Sequence, residues 1–243
     1  MKIISMFFFL FAFSFYVRGQ EKVTFLASDG LTITADLYIT NKDNPYILLF
    51  HQGGYSRGEY KETAKKLIKL GYNCLAVDLR SGEEVNFIQN ETAILAKKSG
   101  FHNSLPETEK DILATIDYAY HRSNKRLVLF GSSFSASLCL KLAKNNPNVK
   151  AVVAFSPGEF FEPEFSVKEE IKGLMKPVFV ASSQREISYI KELLTFVPDE
   201  NKTIFTPKEG PGLHGSKSLW ESSDANNEYW LALMMFFSKI KEY

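Results

Sequence analysis

Ser133, Glu186 and His214 have the side-chain types that nucleophilic acyl transfer requires. A serine hydroxyl is a poor nucleophile at neutral pH. It needs a base to take its proton, a group to orient that base, and N–H donors for the oxyanion that forms. Ser133 lies in RLVLFGSSFSAS, residues 126–137, where an apolar strand-like run passes directly into a helical pattern. That junction reads as a nucleophile elbow, a strained turn that lifts one hydroxyl above a sheet. Residues two before and two after the nucleophile approach each other and must be small. For Ser133 they are Gly131 and Ser135, whereas Ser132 would be flanked by Phe130 and Phe134. Ser135 has small flanks but no glycine. The Ser135 flank itself departs from the commoner glycine.

The base is sought among four histidines. His51 ends the run YILLF, His102 sits in an irregular stretch, and His121 ends a helix. His214 lies in PKEGPGLHGSKSLW, a glycine-rich loop between the last strand and the last helix, which is where a base is needed. Glu186 is the carboxylate that follows the strand PVFVAS. Asp199 and Glu200 are the fallback acids, but they precede a strand and belong at its other end. The oxyanion donors are the N–H of Phe134, just after the nucleophile, and one from the loop His51-Gln52-Gly53-Gly54. Gln52 and Gly53 are both candidates there. His51 is expected to shape this loop rather than to act as a base.

The elements that must hold these groups alternate. KVTFLAS and LTITADLYI alternate apolar and polar residues around Asp29-Gly30, a hairpin signal. YILLF (46–50), NCLAVDL (73–79), RLVLF, VKAVVAF (149–155), PVFVAS (177–182) and KTIFTP read as further strands. Helical spacing is expected over 57–70, 106–122, 133–145, ISYIKELLTFV and a final helix containing YWLALMMFFSKI. Residues 81–105 show no clean period. Strands alternating with helices imply parallel pairing through crossovers. The expected fold is α/β: a mostly parallel, roughly eight-stranded sheet flanked by helices, with an N-terminal antiparallel hairpin.

Composition is that of an ordinary globular chain, 45% hydrophobic and 23% charged, with net charge +1. Nothing in that balance points to nucleic acid. Residues 1–19, MKIISMFFFLFAFSFYVRG, read as a signal peptide, with Lys2, an apolar core and Gly19 at the cleavage point. An uncleaved anchor is the alternative. Loss of Lys2 and Arg18 would leave 27 basic against 28 acidic side chains. Residues 20–243 are then expected to form a single domain, exported to the periplasm or secreted, with no membrane contact after cleavage. Cys74 and Cys139 fall in core positions and are expected to be free thiols.

The order Ser133, Glu186, His214 is that of the α/β-hydrolase superfamily. The chain resembles its small dienelactone-hydrolase-like and prolyl-oligopeptidase-like serine hydrolases over about residues 21–240. The matching pieces are SDGLTITADLY, LLFHQGG, LGYNCLAVDLRSG, LVLFGSSFSA and the late HGS loop. The resemblance implies an α/β-hydrolase fold, a small-molecule ester or related acyl substrate, an acyl-enzyme, and no metal or organic cofactor. It implies structural roles for Asp78 and Arg80. It also implies a short lid at Pro157–Lys176, with Phe87, Ile88, Phe101, Phe160, Phe161 and Phe165 as candidate pocket residues. Lys97 and Lys98 read as a solvated face. Dienelactone hydrolases proper carry cysteine as nucleophile, where this chain has serine. Two other readings stay open: a small-peptide or amide serine peptidase, and a noncatalytic binding protein that kept the fold.

Overall fold

The computed structural model describes residues 20–241. The expected signal segment lies outside the described residues. β1 (Glu21–Leu26) and β2 (Thr32–Tyr38) form the antiparallel hairpin, with Glu21 opposite Leu37 and Leu26 opposite Thr32. Gly30, at φ 88°, supplies the left-handed position its turn needs. β3 (Tyr46–Phe50) follows and is buried throughout.

The helix expected over 57–70 is divided. Ser56 caps a short 3₁₀ turn, Arg57–Tyr60, and α1 begins only at Thr63 and runs to Lys69. The reason is that Arg57 and Glu59 point inward to polar partners, so the first turn cannot follow a simple amphipathic pattern. Gly71, at φ 85°, closes α1 and leads into β4 (Asn73–Val77). The stretch without a period contains a two-residue-per-strand hairpin, β5 (Glu84–Val85) and β6 (Ile88–Gln89), and α2 (Glu91–Lys98). The Asn90 side chain caps α2 by accepting the Ala93 N–H at 2.8 Å.

A 3₁₀ turn at Pro106–Thr108 opens α3 (Glu109–Ser123), which ends at left-handed Asn124. Then come β7 (Leu127–Ser132), α4 (Phe134–Asn145), β8 (Val149–Phe155) and the short α5 (Val167–Glu170). β9 (Val178–Ala181), α6 (Ile187–Leu193), β10 (Lys202–Phe205) and α7 (Asn226–Lys241) complete the chain.

The main sheet has eight strands in the order β1-β2-β4-β3-β7-β8-β9-β10. β1 and β2 are antiparallel to their neighbours, and every other pair is parallel. Alternation within β3 divides the core. Leu48 and Phe50 face the layer of α3, α4 and α6, while Ile47 and Leu49 face α1 and α7. Cys74 and Cys139 are buried and unpaired. Among the described residues, no helix is long and apolar enough to cross a membrane.

Candidate active site

The carboxyl ends of β7, β8 and β9 carry the candidate residues. Ser133 stands between β7 and α4 with φ 59° and ψ −125°, a conformation that is strained for any residue with a Cβ. Its N–H donates to the Phe155 carbonyl at 2.7 Å, which pins the turn to β8. A Cβ on Gly131 would lie 2.5 Å from both N and Cα of Ala136, so the small flank is obligatory. Ser135 explains its own departure from glycine. Its Oγ accepts the Ser132 N–H at 2.9 Å and lies 2.8 Å from the Phe50 carbonyl, tying the elbow to the end of β3.

His214 Nε2 is 2.9 Å from Ser133 Oγ, and its Nδ1 is 2.5 Å from Glu186 Oε1. The structure therefore brings together the three residues singled out in the sequence. Glu186 Oε2 accepts three further hydrogen bonds: from the Ser183 N–H at 2.9 Å, the Ser183 hydroxyl at 2.8 Å and the Ser156 hydroxyl at 2.9 Å. Partial burial alone would raise this carboxyl. The hydrogen bonds from His214, Ser183 and Ser156 outweigh it and hold the group at about 2. Glu186 is thus a carboxylate at neutral pH. With Nδ1–H donating to it, Nε2 is left to accept the serine proton.

Ser156, at φ 50°, also accepts the Gly215 N–H at 2.9 Å. A Cβ on Gly215 would fall 2.3 Å from Gln52 Oε1, so the histidine loop can close over the elbow only with glycine there. Ser132 Oγ accepts the Ser216 N–H at 2.9 Å and fastens that loop from below. No sequence signal marked Ser156, Ser183 or Ser216, because each acts on a group distant in the chain or through a plain hydroxyl.

The early loop corrects one expectation. The Gln52 N–H donates to Glu59 Oε2 at 2.8 Å, so it is not free for an oxyanion. Gly53 N–H and Phe134 N–H have no acceptor among the described residues, and Phe134 opens α4, where the helix offers none. His51 shapes the loop from beneath. Its Nδ1 lies 2.8 Å from the Gln52 carbonyl and its Nε2 accepts the Leu79 N–H at 3.0 Å. Burial lowers its pKa to about 4, against the bond to Gln52, and keeps the ring neutral.

Asp78 and Arg80 each have separate structural partners. Asp78 accepts the Arg57 N–H at 2.7 Å and pairs with the Arg57 guanidinium, which also meets Asp36 at 3.1 Å and Glu91 at 2.7 Å. Arg80 pairs with Asp111 and Asp29, both at 2.7 Å. Asp199 and Glu200 lie at the amino end of β10, away from Ser133, Glu186 and His214.

The aromatic candidates divide. Phe161 and Phe165 stack at 4.7 Å inside the core, and Phe101 packs against it. Phe160 is half-exposed, Phe87 stands almost wholly exposed on the β5–β6 tip, and Ile88 is partly buried. A cavity of about 390 Å³ lies beside the acid and base, lined by Ser183, Arg185, Glu186, Pro211, Gly212, Leu213 and His214. Among the described residues, no three His, Cys, Asp or Glu side chains group as metal ligands would.

An eight-stranded, mostly parallel sheet with an elbow serine after its β7 strand is an α/β-hydrolase fold. Residues 33–194 match the dienelactone hydrolase family, and the chain belongs to that family. Solved structures agree in fold. An esterase from Pyrococcus furiosus is 17% identical with a TM-score of 0.69, covering 90% of this chain and 92% of its own. A dienelactone hydrolase from Anabaena variabilis is 16% identical with a TM-score of 0.64, covering 89% and 94%. An esterase domain from a Rhodothermus marinus protein is 14% identical with a TM-score of 0.61, covering 91% and 98%. No curated protein matches the chain in sequence.

Proposed function

We propose that this protein is a serine esterase acting on small carboxylic esters through a Ser133–His214–Glu186 triad and an acyl-enzyme. The observation that carries the proposal is the 2.9 Å contact between Ser133 Oγ and His214 Nε2. Family membership supports ester hydrolysis as the reaction class.

In the first half-reaction, Ser133 Oγ attacks the ester carbonyl while its proton passes to His214 Nε2. Glu186 holds Nδ1–H and stabilises the imidazolium that forms. Gly53 N–H and Phe134 N–H receive the oxyanion. The imidazolium then protonates the leaving alcohol as the acyl–oxygen bond breaks. In the second half-reaction, His214 deprotonates water, which attacks the acyl-serine. The carboxylic acid leaves and Ser133 regains its proton. Pro211 and Leu213 give the cavity beside His214 apolar surface that can receive an ester's carbon chain. On the signal-like segment 1–19 we further propose that the enzyme acts outside the cytoplasm.

Hydrolysis of 4-nitrophenyl esters of increasing acyl length, compared between wild type and Ser133→Ala, tests the proposal. The variant is expected to fold as wild type and to lose kcat on the order of 10⁵-fold or more. A folded Ser133→Ala protein that turns over at the wild-type rate would move the nucleophile elsewhere.

A further inference from the structure

Glu59 is fully buried, carries no ion-pair partner among the described residues, and takes no part in the steps above. Its two oxygens nevertheless touch both loops that the reaction needs. Oε2 accepts the Gln52 N–H at 2.8 Å, in the loop that carries the Gly53 donor. Oε1 accepts the Ser216 hydroxyl at 2.6 Å, two residues beyond His214. Ser216 N–H in turn bonds Ser132 Oγ, adjacent to the nucleophile. The Glu59 backbone carbonyl accepts Trp220 Nε1–H at 2.8 Å, further along the same late segment. Residues separated by 157 positions are thereby joined through one side chain.

A buried carboxyl is costly to leave unpaired, and here each oxygen has a donor. The reciprocal holds as well. Without Glu59, the buried Gln52 N–H and Ser216 hydroxyl lose their partner, and the two loops lose their direct link. Among the described residues, no other side chain hydrogen-bonds to both loops, so small shifts in either would separate the oxyanion donor from the base.

We infer that Glu59 is a positioning residue, a clamp that holds the Gly53 oxyanion loop and the His214 loop in register around Ser133. This rests on the serine-triad assignment and deepens it. The clamp acts through hydrogen-bond geometry. Burial pushes the Glu59 carboxyl up, against the bonds from Ser216 and Gln52 N–H, so a neutral amide is a close stand-in. In Glu59→Gln the amide oxygen can accept from Gln52 and the NH₂ can donate to Ser216 Oγ, whose hydroxyl is free to rotate.

The test joins kinetics to hydrogen exchange. Glu59→Ala is expected to lower kcat on the order of 10²-fold with KM within about threefold, as misplacement of reacting groups does. Glu59→Gln is expected to restore most of that loss. Ser216→Ala, which removes one arm and leaves the core filled, is expected to lower kcat roughly tenfold and keeps the clamp testable if Glu59→Ala does not fold. In each impaired variant, amides of both 51–56 and 213–219 should exchange faster than in wild type. A folded Glu59→Ala or Ser216→Ala protein with wild-type kcat overturns the clamp. So does a Glu59→Gln protein as impaired as Glu59→Ala, or faster exchange in only one of the two loops. Wild-type enzyme whose Ser133 resists a fluorophosphonate overturns the triad assignment instead, and with it the positioning role, whatever the exchange shows.

Discussion

A cavity of about 390 Å³ opens at each rim of the sheet, and the two are built differently. The carboxyl-rim cavity is lined by Glu186, His214 and the loops beside them. The amino-rim cavity, under β8–β10 and α7, is lined by Arg126, Lys150, Met175, Pro177 and Phe236 among others. Equal volume therefore does not separate them. What separates them is convergence. At the carboxyl rim, Ser133 and Ser156 are held at positive φ, and the Ser133, Ser156 and Ser183 hydroxyls and the Ser183 N–H, from three segments, point at one carboxylate and one imidazole. At the amino rim the cations repel one another; burial and the Arg126 charge together lower the Lys150 pKa. Strain of about 1–3 kcal/mol per residue persists only where the surroundings over-determine it. The carboxyl rim meets that condition, whereas the left-handed Asn124 at the amino rim is a helix cap that asparagine tolerates.

This contrast can be broken by substitution. The largest effect after loss of the nucleophile belongs to Glu186→Gln. It removes the negative charge beside the imidazole and is expected to cost about 10³- to 10⁴-fold in kcat while leaving the fold intact. Steady-state kinetics check it, and a loss below tenfold would demote Glu186. Gly131→Ala comes next, as an effect on stability. The added Cβ meets Ala136 backbone at 2.5 Å, so the protein is expected to lose about 3 kcal/mol. A thermal melt should fall by roughly 6–12 °C. The matching change at the other rim, Asp199→Ala, is expected to leave both Tm and kcat unaltered. If the two variants melted alike, the elbow would not be the constrained rim.

The remaining effect, absent at neutral pH, is on acid stability. His51 has a folded pKa of about 4 against an ordinary 6.5, so the unfolded chain binds its proton first. Its contribution is complete above pH 6.5 and is lost as pH falls to about 4, amounting to about 3 kcal/mol. The difference between wild type and His51→Gln in urea unfolding, followed from pH 7 to 4, isolates this contribution. Parallel pH dependences for the two proteins would mean that His51 is not held neutral.

Much of this was legible in the chain. The elbow could be read because its steric rule is local: Gly131 and Ser135 flank Ser133, and the phenylalanines flank Ser132. His214 and Glu186 could be placed because strand order puts their loops at one rim. The alternating runs and Asp29-Gly30 gave the hairpin and the sheet. What escaped was nonlocal. The choice between Gln52 and Gly53 depends on where each N–H points, and Glu59 decides that from seven residues away. Glu59 itself looked like part of an amphipathic helix. Its inward turn, with that of Arg57, is why the helix starts late at Thr63. α2 was hidden because its eight residues are too few to show a period, and its cap, Asn90, is recognisable only once its Ala93 contact is seen. Phe161 and Phe165 looked like pocket residues because composition cannot say whether an aromatic pair faces substrate or its own core.

The central claim is that Ser133 is an activated nucleophile. Folded protein treated with a fluorophosphonate, digested and mapped by mass spectrometry tests it most directly. The expected result is one adduct, on Ser133, that disappears when the protein is heat-denatured beforehand or when His214 is replaced by alanine. An unmodified Ser133 in folded protein, or an adduct on Ser132 or Ser135 in its place, would contradict it.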